Sequence, residues 1–426
     1  MIPIIIGLAL ILLALYGTPL FVILGGIALL SFHLLEIDTA AVIVEMYRIA
    51  NAPTLLAIPL FTFAGYLLAE SNSPKRLVNL ANALFGWMPG GLAIVALVTC
   101  AFFTAFTGAS GVTIVALGGL LYPILRKDGY PEKFSLGLLT SSGSLGLLFP
   151  PSLPIILYGL VAKISIDQLF LAGIIPGIIL IILLSLFSVR KGLVSHVPKT
   201  TFSRKNLLKA GRAAIWEIPL PFIIIGGIYS GTFTATEAAA ITAFYVLVIE
   251  VFIHRDLNLF KDVPQIMKES MLLVGGILVI LGTAMGLTNF LIDEEIPMKI
   301  LDFMRTFISS KILFLIMLNI FLIIVGCLMD IFSAIIVVVP LIVPIAKEFG
   351  VDPIHLGVIF LTNLEIGYST PPVGLNLFIS SFRFNKPVVK LYNAALPFLA
   401  ILIIALLIIT YVPQLSLWLV NLASGN

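Results

Sequence analysis

Apolar stretches follow one another along nearly the whole chain, and few charges interrupt them. Hydrophobic residues make up 60% of the 426 and charged residues only 11%, with a mean hydropathy of +1.17. Soluble domains carry about 45–50% apolar and about 25% charged residues. A water-soluble monomer is therefore excluded, because a chain this apolar could not cover its exterior with polar groups. The predicted fold class is an all-α polytopic membrane protein with the lipid bilayer as its solvent. The net charge of +3 comes from scattered bases and gives no footprint for nucleic acid. Cys100 and Cys327 both lie inside apolar runs, so neither a disulfide framework nor a cysteine metal site is indicated.

A bilayer core of about 30 Å takes about 20 helical residues. Ile2 to about Phe32 has no Lys or Arg ahead of it and reads as a retained span rather than a cleaved signal peptide. Further spans are expected at Pro53–Ala69, Leu169–Val189, Ile218–Ser230, Phe233–Ile253, Met271–Ile292 and Leu391–Tyr411. Gly91–Leu125 and Ile312–Ala346 are apolar but interrupted midway by small and polar residues, as in a re-entrant hairpin. Ser135–Ala162 and Leu356–Phe382 each hold a Pro-Pro pair in their middle and read as broken helices. Arg190, Lys191, Lys199, Arg204, Lys205, Lys209 and Arg212 share one loop, which places it in the cytoplasm. Arg126, Lys127 and Lys133, and later Arg255, Lys261 and Lys268, fall on the same side by counting spans, while Asp293, Glu294 and Glu295 fall outside.

The chain repeats itself. A shift of 221 residues pairs Gly65 with Gly286, Pro123 with Pro344, Gly129 with Gly350, Gly146 with Gly367, and Pro150-Pro151 with Pro371-Pro372. The predicted organisation is an N-terminal scaffold span and interfacial segment (1–50), then repeat 1 (51–163; hairpin 91–125, broken helix 135–162). Scaffold spans follow over 164–264 with the basic loop 190–216, then repeat 2 (265–386; hairpin 312–346, broken helix 356–382) and a C-terminal span over 387–426. The number of intervening spans makes the two repeats inverted, as in secondary transporters.

An unwound stretch in mid-membrane leaves backbone groups without partners and persists only where it lines a polar cavity or binds something. Thr140, Ser141, Ser142, Ser144, Gly146, Pro150 and Ser152 mark the first break, facing a hairpin tip at Thr107, Gly108, Ser110 and Gly111. Thr362, Asn363, Gly367, Ser369, Thr370 and Pro371 mark the second, facing Gly326 to Ser333. Together they form one expected pocket, with Gly108, Ser141, Ser142, Ser144, Ser333 and Asn363 as substrate-contacting candidates. The competing account of each Gly or Ser is close helix packing. Asp330 and Glu365 are acids at membrane depth, able to hold a cation or relay a proton, or, more plainly, to cap a half-helix or pair with a base. Arg383 and Lys163 are candidate anchors for a substrate carboxylate, against the simpler account of snorkelling at span ends. Thr234 and Glu237 read as a capping box. His33, His196, His254 and His355 lie at loops or span ends without ligand spacing, and no catalytic triad or phosphate loop is visible. A membrane-embedded enzyme is the alternative from another class.

Thr107–Val112, Gly146–Ser152, Thr232–Ala239, Met329-Asp330 with Pro340 and Pro344, and Pro371–Asn376 together resemble the large membrane subunit of tripartite ATP-independent periplasmic (TRAP) transporters. The resemblance covers essentially the whole chain. It implies a Na⁺-coupled importer of small organic acids in a bacterial inner membrane, with no cofactor beyond the coupling ion. It also implies an elevator mechanism, a separate four-span small subunit and a periplasmic substrate-binding protein. Sodium would sit between each hairpin tip and its facing break, at Ser110, Gly146, Gly326, Gly367 and Thr370, with Gly111, Pro150 and Asp330 beside them. One departure is Thr-Ala-Thr-Glu at Thr234–Glu237, where the family usually has Thr-Pro-Thr-Glu. A stand-alone or proton-coupled anion symporter of similar architecture is the alternative within transport.

Overall fold

The computed structural model describes residues 13, 18–195, 197, 201–306, 308 and 310–423. Residues 2–12 and 14–17 of the expected span at 2–32 lie outside the described residues, as do His196 and Lys199. Along the chain, α1 (Leu20–Leu34), α2 (Ala40–Ala50) and a 3₁₀ turn (Pro53–Leu56) lead into α3 (Ala57–Glu70) and the amphipathic α4 (Ser73–Phe85). The first hairpin descends as α5 (Gly91–Thr107) and turns at Gly108, whose φ of +64° suits a residue without Cβ. It returns through the short turn Ser110–Thr113 and a π turn (Ile114–Gly118) to α6 (Gly119–Lys127).

The first broken helix is α7 (Glu132–Ser142), a 3₁₀ turn (Leu145–Leu148), a cis Pro150-Pro151 bond and α8 (Leu153–Ala162), bent by 46°. Helices α9 (Ile166–Val194), α10 (Arg204–Ala213), α11 (Pro219–Tyr229) and α12 (Ala235–Val248, extended by a π turn to Ile253) follow. The second repeat runs through α13 (Asp262–Asp293), amphipathic α14 (Ile296–Arg305) and a second hairpin of α15 (Lys311–Leu328) and α16 (Ile331–Glu348). Next comes the broken pair α17 (Pro353–Gly367) and α18 (Leu375–Phe384) with a cis Pro371-Pro372 bond between them. Helices α19 (Val388–Tyr411) and α20 (Gln414–Ala423) complete it. Among the described residues seven helices are long and apolar enough to cross a membrane, eight with the bent pair. The expected span at Ile218–Ser230 is shorter than one: α11 has 11 residues, rising about 17 Å. Pro219 and Pro221 restrict its start, and the preceding segment folds into turns anchored at Glu217.

The repeat is written into the backbone. After α6, Tyr130 N–H donates to Leu125 O (3.1 Å) and Gly129 N–H to Arg126 O (3.3 Å). After α16, Val351 N–H donates to Ala346 O (2.9 Å) and Gly350 N–H to Lys347 O (2.9 Å), the same cap 221 residues on. Pro176 inside α9 and Pro397 inside α19 stand at that spacing too, so each repeat reaches one helix further than the sequence bounds of 163 and 386. Those two helices pack on the broken helices: α19 lies against α7 and α17, and α9 lies against α5 and α17.

The two repeats are inverted. Glu70 at the end of α3 shares a cavity with Asp262, Gln265 and Glu269 at the start of α13, so these corresponding helices run antiparallel. The broken helices also cross head to tail. Lys386 after α18 pairs with Glu132 at the start of α7 (2.6 Å), and Tyr158 of α8 donates to Pro353 O at the start of α17 (3.2 Å). Hairpin 1 opens on the basic side, where Gly90 meets Ser188 and Gly192 at the end of α9. Hairpin 2 opens on the other, where Lys311 Nζ reaches Gly350 O and Arg305 pairs with Glu348 (3.2 Å).

Candidate functional site

Each hairpin tip is pressed against one break, and glycine makes the approach possible. A Cβ on Gly146 would lie 2.2 Å from Ala101 O and 2.4 Å from Ala105 N of α5. A Cβ on Gly367 would lie 2.5 Å from Gly326 C of α15, and position 326 is 221 residues beyond 105. The packing account of these three glycines is therefore real, and it places the backbone of each break against the backbone of a hairpin helix.

Within the first unit, Thr104 Oγ1 bridges Thr113 Oγ1 (2.7 Å) and Gly143 O (2.8 Å). Ser110 is 3% exposed and opens the turn beside Gly143. Gly111 lets Ile379 of α18 close in, a Cβ there lying 2.8 Å from Cδ1, and Gly108 does the same for Leu153 of α8. Pro150 lies at the cis bond between the two half-helices. Within the second unit, Gly374 N–H donates to Cys327 O (3.0 Å) and Ile331 N–H donates to the Tyr368 hydroxyl. Thr370 Oγ1 donates back to Ile366 O (2.8 Å).

Asp330 caps α16, accepting from Phe332 N–H (3.0 Å), Ser333 N–H (3.0 Å) and the Ser333 hydroxyl. Asp330 and Ser333 thus have a structural task, while the Asp330 carboxylate keeps further lone pairs for a cation. Arg383, expected as a carboxylate anchor or a snorkelling end residue, lies on hairpin 1 instead. Its Nε donates to Val115 O (2.8 Å) in the π turn, and its guanidinium fills the space over Gly119. Lys163 ends α8 with a φ of +56° and lines a cavity of about 170 Å³ with Arg48, Ala52, Leu281 and Met285.

The two units touch at their centre. Ser144 Oγ donates to Glu365 O (3.4 Å), and these positions are related by the repeat spacing, so the pseudo-dyad passes between them. Asn376 Nδ2 reaches Thr140 O and Ser144 Oγ (both 3.4 Å), and Thr140 Oγ1 donates to Ser380 Oγ (2.9 Å). Ser141, Ser142, Ser144, Thr362, Asn363, Glu365 and Ser369 are all 0% exposed. With Ser152 and Asn376, also 0% exposed, they include polar atoms without a hydrogen-bond partner: Ser141 Oγ, Ser152 Oγ, Asn363 Oδ1, Ser369 Oγ, Asn376 Oδ1 and both carboxylate oxygens of Glu365. Buried polar groups are partnered in most proteins, so this concentration makes the place the candidate site for an ion or ligand. The set is dominated by oxygen acceptors and hydroxyls, which fits an alkali cation and a hydroxyl-bound anion. Among the described residues no group of three His, Cys, Asp or Glu could hold a metal ion.

Asn376, Ser380, Thr104 and Thr113 join the site although sequence reasoning did not single them out. Asn376 and Ser380 stand four residues apart on one face of α18, and Thr104 and Thr113 flank the hairpin tip; both signals were present in the spacing.

Residues 6–415 match the family model described as "Tripartite ATP-independent periplasmic transporter, DctM component". The chain is 37% identical to the C4-dicarboxylate TRAP transporter large permease protein DctM of Pseudomonas aeruginosa, covering 93% of this chain and 92% of that protein. It is 35% identical to the isethionate TRAP transporter permease protein DctMQ of Oleidesulfovibrio alaskensis, over 94% of this chain and 64% of that longer protein. Its fold resembles the crystal structure of the Alcanivorax borkumensis YdaH transporter, with a TM-score of 0.64 at 13% identity over 88% of this chain and 87% of that one. This chain is a member of the TRAP transporter large permease family.

Proposed function

We propose that the chain is the large subunit of a Na⁺-coupled importer of a small organic acid in a bacterial inner membrane. The observation that supports it most is the crossing of two inverted, broken helices at a cluster of buried oxygen atoms without partners. Sodium would be held between hairpin tip and break in each repeat, by Ser110, Gly111, Gly146 and Pro150 in the first and by Gly326, Asp330, Gly367 and Thr370 in the second. Backbone carbonyls and hydroxyls freed by unwinding are suitable ligands. The acid would lie between the two units against Gly108 and the hydroxyls of Ser141, Ser142, Ser144 and Ser333. A bound cation lowers the cost of bringing an anion into the same low-dielectric space, so binding would be cooperative.

The hairpins, the broken helices, α9 and α19 pack into one group, and α1 to α3 pack with α11 to α13 into another. The first group would slide against the second as an elevator. A C4-dicarboxylate or a related acid such as a sulfonate fits the substrates named for the relatives. A small membrane subunit would work beside this chain, with a periplasmic binding protein delivering the acid, as the tripartite family description suggests.

In liposomes holding the assembled permease and its binding protein, uptake should require an inward Na⁺ gradient. Ser110→Ala and Thr370→Ala should each weaken its Na⁺ dependence, and equal uptake in Na⁺-free buffer would contradict the reading. One observation favours a second reading, coupling to protons: the Glu365 carboxylate is buried with both oxygens unpartnered. Uptake driven by a pH gradient alone, and lost in Glu365→Gln, would favour that reading over sodium.

A further inference from the structure

A buried chain of polar side chains lies behind the second break. Asn363 Nδ2 on α17 donates to Asn319 Oδ1 on α15 (2.8 Å) and to Ile359 O one turn back (2.8 Å). Asn319 Nδ2 in turn donates to Thr410 Oγ1 on α19 (3.3 Å). All three residues are buried, at 0% for Asn363, 5% for Asn319 and 0% for Thr410. Both amide hydrogens of Asn363 are thus engaged, and the amide cannot turn over, because its oxygen would then face the Ile359 carbonyl, which can only accept. Its Oδ1 is therefore held in one orientation, and it has no partner of its own.

Asn363 precedes Gly367 by four residues and Thr370 by seven, so it shares the α17 face that meets hairpin 2 at Gly326. An amide whose donors are both engaged has nothing to offer a carboxylate. It has an oxygen to offer a cation.

We infer that Asn363 Oδ1 is a ligand for an alkali cation at the second repeat's site, and that Asn319, steadied by Thr410, is the positioning residue that aims it. This rests on the Na⁺-coupled reading and deepens it: the side chain expected to contact substrate belongs to the ion. The repeats differ here. The positions corresponding to Asn363 and Asn319 in the first repeat are Ser142 and Val98, and the Ser142 hydroxyl turns back to Leu139 O (3.4 Å). The two cation sites are therefore unequal, and only the second depends on this chain of amides.

The test is radiosodium binding to the purified, assembled permease, with thermal stability measured beside it. Asn363→Ala and Asn319→Ala should each raise the half-saturating Na⁺ concentration about tenfold, the scale of one lost or misaimed ligand. Thr410→Val should raise it less, and Thr410→Ser should restore it. Asn363→Asp should also change the preference for Na⁺ over Li⁺, which a purely structural role would not do. Lowered stability with unshifted Na⁺ binding in these variants would overturn the inference and leave sodium coupling standing. If the alanine variants fail to assemble, the Thr410→Val and Thr410→Ser pair gives the same reading, and equal Na⁺ affinity in the two would overturn it. Absence of saturable Na⁺ binding in the wild type would overturn the coupling reading itself.

Discussion

Arg76 joins three acids that sequence distance keeps apart. Its guanidinium contacts Glu217, Glu250 (2.8 Å) and Asp256 (2.6 Å), with Glu217 and Glu250 at 1% and 0% exposure. The loop residue Asp256 is partly buried, which favours its neutral form, yet hydrogen bonds from Asn72 and Arg76 hold it below the usual carboxylate range. Removing the base would strand two buried carboxylates, so Arg76→Ala should lower stability by about 3–5 kcal/mol, read from thermal unfolding in nanodiscs. None of this was legible in the sequence, because the partners lie 141 to 180 residues away and nothing local announces them. Thr234 and Glu237 are the opposite case. Their reciprocal bonds, Glu237 N–H to Thr234 Oγ1 (3.2 Å) and Thr234 N–H to Glu237 Oε2 (2.8 Å), follow from a spacing of three residues that the sequence displays. Ala235 stands where the family usually has Pro, and the cap forms around it all the same.

At the scale of elements, the breaks were legible because proline and glycine punctuate them. Gly146 and Gly367 are where this can be tested, since a Cβ would meet backbone rather than a movable side chain. Gly367→Ala should force α15 from α17, costing about 1–3 kcal/mol, with Na⁺ affinity reduced alongside. The return arm of hairpin 1 offers a second test. Arg383 satisfies Val115 O in the π turn and packs over Gly119. Arg383→Ala and Gly119→Ala should each loosen residues 114–119 in hydrogen exchange, by about 1–2 kcal/mol, and the double variant should add little, because both disturb one contact. The extension of each repeat through α9 and α19 escaped sequence reasoning. Those spans are uniformly apolar, and Pro176 and Pro397 are the sparse markers that carry the register.

At the scale of the whole molecule, the duplication was readable from the recurring prolines and glycines, whereas the packing of α9 and α19 with the hairpins and broken helices was not, because it depends on which apolar faces meet. The cavity between Arg48 and Lys163 lies on the seam, with α8 on one side and α2 and α13 on the other. Arg48→Cys with Lys163→Cys, in a chain freed of Cys100 and Cys327, should be joined by a short bifunctional maleimide and then stop transport. Transport that persists after complete cross-linking would exclude sliding at this seam. The most direct measurement of the central claim is import of the acid carried by the partner binding protein, into liposomes holding the assembled permease, with external Na⁺ exchanged for K⁺. The account predicts that accumulation against a gradient disappears with the sodium. Undiminished accumulation in K⁺ would contradict it.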